Sequence, residues 1–277
     1  MTDLIADSVA ATAPIEKRAL SVARSLSAKL RSRVLNNFNG KKIDYDVKKF
    51  LRDEFAETLR DSMIVTHLNG LLVERKALAK QAPIALSVFD ATIKNLTRQL
   101  NIDIADLQKQ YNTQALKVID EVSAEVDKKL RTTIKDLVSQ GASLATGKKG
   151  LRQAFSDLGL TEKNGYQLEN IYRTQTSIAF NAGKWEADQS EDIQEILWGY
   201  EYSAVGDDRT RPSHMALDGT VLPKEDPLWK TIWPPNGWGC RCVVIPVLRK
   251  QKIVRPKSGG VPDKGFNFNP GIVYSAA

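Results

Sequence analysis

Residues 207–242 hold both cysteines, one of the two histidines and three of the five tryptophans of a 277-residue chain. His214, Cys240 and Cys242 are residue types that ligate zinc, so a metal centre is the first chemistry to weigh. A structural zinc takes four Cys or His ligands in a tetrahedral array. This stretch offers three, two of them only one residue apart, and oxygen ligands from Asp207, Asp208 or Asp218 would be unusual in such a site. The expectation is therefore no cofactor, with zinc as the alternative at His214, Cys240 and Cys242. In the metal-free reading His214 bonds to backbone, and Cys240 and Cys242 lie on a strand with Arg241 on its other side.

Other chemistries find less support. A magnesium-dependent nuclease needs several converging acids. Asp207-Asp208 with Asp218 is the one such grouping, and adjacent aspartates are more often turn formers. No Gly-rich phosphate loop, Ser-centred elbow or His-Glu zinc helix is present. The other histidine, His67, reads as a capping or surface residue near a helix end. Trp229, Trp233 and Trp238 lie among prolines and read as packing that holds a loop down.

The elements that must position these residues divide at the prolines. Only Pro14 and Pro83 precede residue 212, and nine prolines follow. The first part can therefore be mostly helix, and the last has the character of strands and turns. Leu20, Ala23, Leu30 and Val34 share one face of a helix starting near Pro14 and ending at Asn36–Gly40. A second helix is expected from Asp44 to His67, stopped by Asn69-Gly70, and a third over 71–100 with a break at Pro83. Leu107, Tyr111, Leu116, Ile119, Val122 and Val126 form the apolar stripe of a long helix over 104–138. Residues 141–150 read as a small-residue link, followed by a short helix over 151–158. Thr161 can cap the next helix, at 166–189. Ile196, Trp198, Tyr200 and Tyr202 alternate as a strand with one buried face, Thr220–Leu222 reads as a second strand, and Val243–Val247 as a third. Beyond Arg249 the chain reads as an extended arm. The fold class that follows is α+β, with a helical region over 1–145, a small domain of helix on short antiparallel sheet over 146–248, and a basic extended tail over 249–277.

Charge is distributed unevenly. Lys17–Arg52 carries eleven Lys or Arg against two acids, and the chain from Arg249 onward carries six against one. The intervening residues are mildly acidic. A clustered positive field favours polyanions, of which nucleic acid is the commonest. Lys17, Arg24 and Arg31 recur every seven residues along a helix edge, and with Lys41, Lys42, Lys48 and Lys49 they are the expected contacts to double-stranded DNA, made without reading sequence. The competing reading is a solvated helix face. No apolar run approaches the ~20 residues of a membrane span. The acidic opening Met1–Asp7 lacks the basic start of a signal peptide, so retention in a cytosol and reduced thiols are expected.

The order of motifs over about 168–247 resembles the phage Mu F-like minor head proteins, also called phage head morphogenesis proteins. The resemblance rests on Ile171-Tyr172-Arg173-Thr174 continuing through Ala179–Gly183, on Leu197-Trp198-Gly199-Tyr200, and on Asp207-Asp208-Arg209-Thr210-Arg211 with His214. Leu217-Asp218-Gly219 and a Pro-Pro stretch ending in Cys240-Arg241-Cys242 complete it. In many relatives a pair of cysteines and a further histidine look like a four-ligand zinc site. Here Arg211 and His214 stand at the cysteine positions, and Gly237-Trp238 at the histidine position. The resemblance places Arg173, Asp208, Arg209, His214 and Arg241 at the junction of helix, loop and last strand, as a polar clasp. The alternative is a site for phosphate or a partner's carboxylate. It implies a non-enzymatic minor capsid protein of a tailed phage, made in the host cytoplasm and carried inside the virion head. Its implied partners are the portal protein, the capsid interior and packaged DNA, with no membrane, and its role lies in head assembly or DNA passage. The competing classes are a metal-dependent nuclease or hydrolase and a generic DNA-binding adaptor.

Overall fold

The computed structural model describes residues 2–81, 102–161 and 166–274. The helices are α1 (Thr2–Asn36), α2 (Val47–Phe50), α3 (Glu57–Gln81), α4 (Ile104–Ser139), α5 (Leu144–Asp157), α6 (Tyr166–Asp188), α7 (Glu191–Ile196), α8 (Pro212–Met215) and α9 (Pro270–Tyr274). A π-helical turn at Leu51–Ala56 joins α2 to α3. The strands are β1 (Gly199–Ser203), β2 (Val221–Pro223) and β3 (Val243–Val247). The α+β class is the one expected. The chain forms two compact units, one of 1–15, 62–107 and 173–277, the other of 16–61 and 108–172.

The second unit is helical and is organised by the α4 stripe. Leu107, Tyr111, Ala115, Ile119, Val122, Val126, Leu130 and Ile134 are buried at helical spacing. Ala115 takes the place expected for Leu116, which is only half-buried. On α1, Ala19, Ala23, Leu26, Leu30 and Val34 are buried on one face. Asp46 caps α2 by accepting from Lys49 N at 2.8 Å, and Ser143 caps α5 by accepting from Thr146 N. That cap starts a helix inside the stretch expected to be a link. Gly147 and Gly150 sit within α5 because neighbours press on it there. A Cβ at Gly147 would come 2.6 Å from the Phe38 ring, and one at Gly150 would come 2.6 Å from Leu137.

In the first unit, Asn69-Gly70 does not stop a helix: α3 runs through it to Gln81. The reason is tertiary. A Cβ at Gly70 would lie 2.1 Å from the Phe180 carbonyl oxygen, and one at Gly183 would lie 2.0 Å from that of His67. The two glycines let α3 and α6 approach backbone to backbone, a use of glycine that outweighs its poor helix propensity. The break expected at Pro83 lies outside the described residues, and so do the four residues after Thr161.

The sheet is antiparallel in the order β2-β1-β3. Tyr200 stands opposite Leu222 and Pro246, and Tyr202 opposite Val244. Ile196 belongs to α7 rather than to the strand, although Trp198 N still bonds to Val247 O at 2.9 Å. Tyr200, Tyr202, Leu222 and Val244 face an aromatic core with Trp229 and Trp233, while Val243 and Ile245 pack on Ala77 of α3. β3 is accordingly buried along its whole length. Trp233 meets Trp185 and Tyr200 edge-on, each at a centroid distance of 4.9 Å. The tail beyond Arg249, expected to be an extended arm, runs through turns to α9 and returns to its own unit. Val254 bridges Val221, Asp263 N bonds to Asn236 O, and the Asn269 amide donates to Trp229 O. Among the described residues no helix is long and apolar enough to cross a membrane.

Candidate functional site

α8 and the loop entering β3 bring His214, Cys240 and Cys242 together in the first unit. Their ligand atoms lie within 4.8 Å of one another, and all three residues are buried. His214 Nε2 faces the Asn236 carbonyl oxygen at 3.1 Å, and its Nδ1 lies 3.8 Å from Cys242 Sγ. A carbonyl only accepts, so Nε2 is the donor in the first of these contacts. Tyr202 on β1 donates to Asn236 Oδ1 at 2.7 Å. The hydrogen bond it donates to Cys240, then burial, push the Cys242 thiol up. That same bond holds the Cys240 thiol below the usual range. Burial beside both sulfurs pushes the Tyr202 hydroxyl well up. The cluster is thus a closed set of thiol, imidazole and phenol bonds. Three of the four donors of a structural zinc are present. Arg211 pairs with Asp263 at 3.2 Å and donates to Trp238 O. Among the described residues no other group of three or more His, Cys, Asp or Glu side chains converges in this way.

The polar contacts beside this cluster centre on Asp207. Its Oδ1 accepts from Arg241 Nη2 at 2.7 Å, from Thr210 Oγ1 at 3.0 Å and from Arg209 N at 3.2 Å. These bonds, that from Arg241 first, hold its carboxyl well below the ordinary range. The loop turns Asp207 inward and leaves Asp208, the acid expected in the clasp, exposed. Arg209 is also exposed, with its Nε 3.7 Å from Asp207. Asp218 accepts from Ala204 N at 2.8 Å and serves a turn. Arg173 is half-buried on α6. Its neighbour Thr174 is fully buried and accepts from Gly239 N at 3.0 Å, fastening α6 to the Cys-Arg-Cys loop.

A buried ionic group went unread. Lys184 of α6 lies 2.9 Å from Glu74 of α3 and donates to Val244 O at 2.7 Å, with both charged side chains about 1% exposed. Arg75 pairs with Asp192 at 2.9 Å and bonds to Ser190 Oγ. Burial, then the nearby Glu74, raises the Asp188 carboxyl well above its usual range. His67 is fully buried rather than at the surface, with Nε2 2.8 Å from Glu186. Its place opposite Gly183 explains the burial.

In the second unit, Lys17, Arg24, Lys41, Lys42, Lys48 and Lys49 are exposed and Arg31 is half-buried. Lys48 lies 3.7 Å from Asp120, and nearby Lys29 and Arg33 both pair with Glu54.

Residues 125–245 match the family model described as Phage Mu protein F like protein. Over 145 residues the chain is 33% identical to the Mu-like prophage FluMu F protein of Haemophilus influenzae, covering 48% of this chain and 34% of that one. It is 28% identical over 176 residues to the "Putative capsid assembly protein F" of Escherichia phage Mu, covering 58% and 39%. A further Haemophilus influenzae protein is 31% identical over 180 residues, covering 64% and 36%. The chain therefore spans about a third of the length of these relatives. No solved structure matches. The matched segment contains α6, the His214–Cys240–Cys242 cluster and the Asp207–Arg241 pair, and over residues 125–245 this chain is similar to the phage Mu protein F like proteins.

Proposed function

We propose that this chain is a non-enzymatic minor capsid protein of a tailed phage, held inside the head at the portal, where it aids head assembly or DNA passage. The observation that carries the reading is the likeness over 176 residues to a phage Mu protein whose name is capsid assembly. The site geometry supports it. Asp207 and Asp218, the acids a nuclease would use, are engaged by protein donors, and the thiols and imidazole bond to one another in a buried cluster. Such a constellation fixes a small domain and leaves no open position for a substrate. The basic segment 17–52 supplies a second part of the role, because exposed cations neutralise phosphates without reading sequence. Membrane contact is not part of this role.

The test is quantitative mass spectrometry of gradient-purified heads from an infected or induced host. The expected result is this chain in the head fraction, at low copy, co-purifying with the portal after external DNA is digested. Its absence from heads, or metal-dependent cleavage of DNA or a small ester by the purified protein, would overturn the proposal.

A further inference from the structure

The second unit contains a groove of about 510 Å³ that the DNA-binding role does not explain. One wall is the last turns of α4 and the other is the segment from Lys41 to Val47. Leu130, Ile134 and Val138 form its floor at spacings of four residues, so this stripe runs about 12 Å, or a little over two helical turns. Ile43 and Val47 face them. Val138 is 44% exposed, and so is Leu144 at 48%, a neighbour of the groove that meets Gly40. Large apolar side chains left open at one place mark a site for a partner.

The rim has one sign. Lys41 and Lys42 stand on one side, Arg131 and Lys135 on the other, and all four are exposed. The single acid of the lining, Asp127, is already paired with Arg131 at 2.6 Å. A concave apolar floor is of no use to duplex DNA, whose phosphates are met by protruding cations. It fits a helix that presents apolar residues at i, i+3, i+4 and i+7 with acids on both flanks.

We infer that this groove docks an acidic amphipathic helix of a partner protein, with apolar anchors against Val138 and Ile43 above the buried Leu130 and Ile134, and carboxylates paired to Lys41, Lys42, Arg131 and Lys135. The occupant is fixed by charge complementarity: Lys41, Lys42 and Lys135 flank the groove, with Arg131 beside them already sharing Asp127. The site is separate from the head role proposed above, although Lys41 and Lys42 serve both.

The full chain is titrated with a fluorescein-labelled synthetic helix carrying leucines at i, i+3, i+4 and i+7 and glutamates elsewhere, and with the same helix carrying lysines for glutamates. The glutamate helix binds and the lysine helix does not. Val138→Glu and Lys135→Glu, both at exposed positions, each weaken binding about tenfold or more, as loss of an anchor or a paired charge does. Circular dichroism melts confirm that these variants fold. Equal binding of the two helices, or binding of the glutamate helix unchanged in both variants, overturns the inference. So does duplex DNA binding that is lost in Val138→Glu, which would make the groove a DNA site. A separate arm replaces Lys17, Arg24 and Arg31, which do not line the groove, with Gln. This arm alters DNA binding and leaves the peptide untouched, so the two proposals fail independently.

Discussion

The ammonium group of Lys184 lies 2.9 Å from the Glu74 carboxylate, and neither side chain is more than about 1% exposed. A buried pair returns its desolvation cost only when both members and their remaining bonds are present. Lys184 has a second acceptor in Val244 O, so the pair ties α6 to both α3 and β3. Lys184→Met should destabilise the protein by roughly 3–5 kcal/mol at neutral pH, because Glu74 is left charged and unpaired. Burial already raises the Glu74 carboxyl, so a proton can replace the lost partner. Urea denaturation should therefore show a smaller loss near pH 5 than near pH 7. An equal loss at both would contradict this account.

Asp188 gives a pH dependence whose sign is fixed. Its folded value is raised, first by burial and then by Glu74, above the ordinary aspartate value of about 3.9. Between those two values the folded state binds more protons than the unfolded state. Stability is then fully present below about pH 3.9 and declines as pH rises through the folded value. Asp188→Asn should flatten that decline in a series of thermal melts. The depressed Asp207 acts in the opposite sense: its contribution is present above the ordinary aspartate value and fades as pH falls through the folded one.

Thr174, itself buried, accepts from the half-buried Gly239 N. Thr174→Val keeps the shape and strands that N–H, at a cost of about 1–3 kcal/mol, whereas Thr174→Ser keeps the acceptor and most of the stability. Chemical denaturation of the two variants separates a hydrogen-bonding role from packing. A serine variant as weak as the valine variant would favour packing.

Duplex DNA binding should fall uniformly across sequences when Lys17, Arg24, Arg31, Lys41, Lys42, Lys48 and Lys49 are all replaced by Gln. The slope of log affinity against log salt should become shallower by roughly 0.9 for each phosphate that is no longer neutralised. Fluorescence anisotropy over a salt series measures it. An unchanged slope would mean that these side chains form only a solvated surface.

Elemental analysis of purified protein should find well under one zinc per chain, because His214, Cys240 and Cys242 supply only three of the four donors a structural zinc takes. Stoichiometric zinc that disappears in His214→Ala would establish a metal centre instead.

The local signals that proved readable were those with strong periodicity or a cap. The α4 stripe, the Tyr200–Tyr202 alternation and the position of α6 follow from spacing alone. Gly70 was misread because Asn-Gly looks the same at a helix end and at a helix crossing, and only Phe180 on another helix decides between them. Glu74, Arg75 and Lys184 read as ordinary surface charges of amphipathic helices. Their burial depends on partners far away in sequence. Asp207 and Asp208 are chemically identical neighbours, and only the turn of the loop selects the one that meets Arg241.

Glu74 and Arg75 leave the ribosome long before Lys184, Asp192 and β3 are made. Through that interval α3 carries two charges that are destined for the interior but have nothing yet to pair with, and water is their only partner. Its glycine at position 70 likewise waits for the α6 backbone that will lie against it. The N-terminal part of the first unit therefore completes its core late in synthesis, as a long-range docking event between α3 and the C-terminal half of the chain. A ribosome stalled before α6 would display α3 as a solvated helix, open to proteases and chaperones, and the protection would arrive all at once with the Lys184 segment.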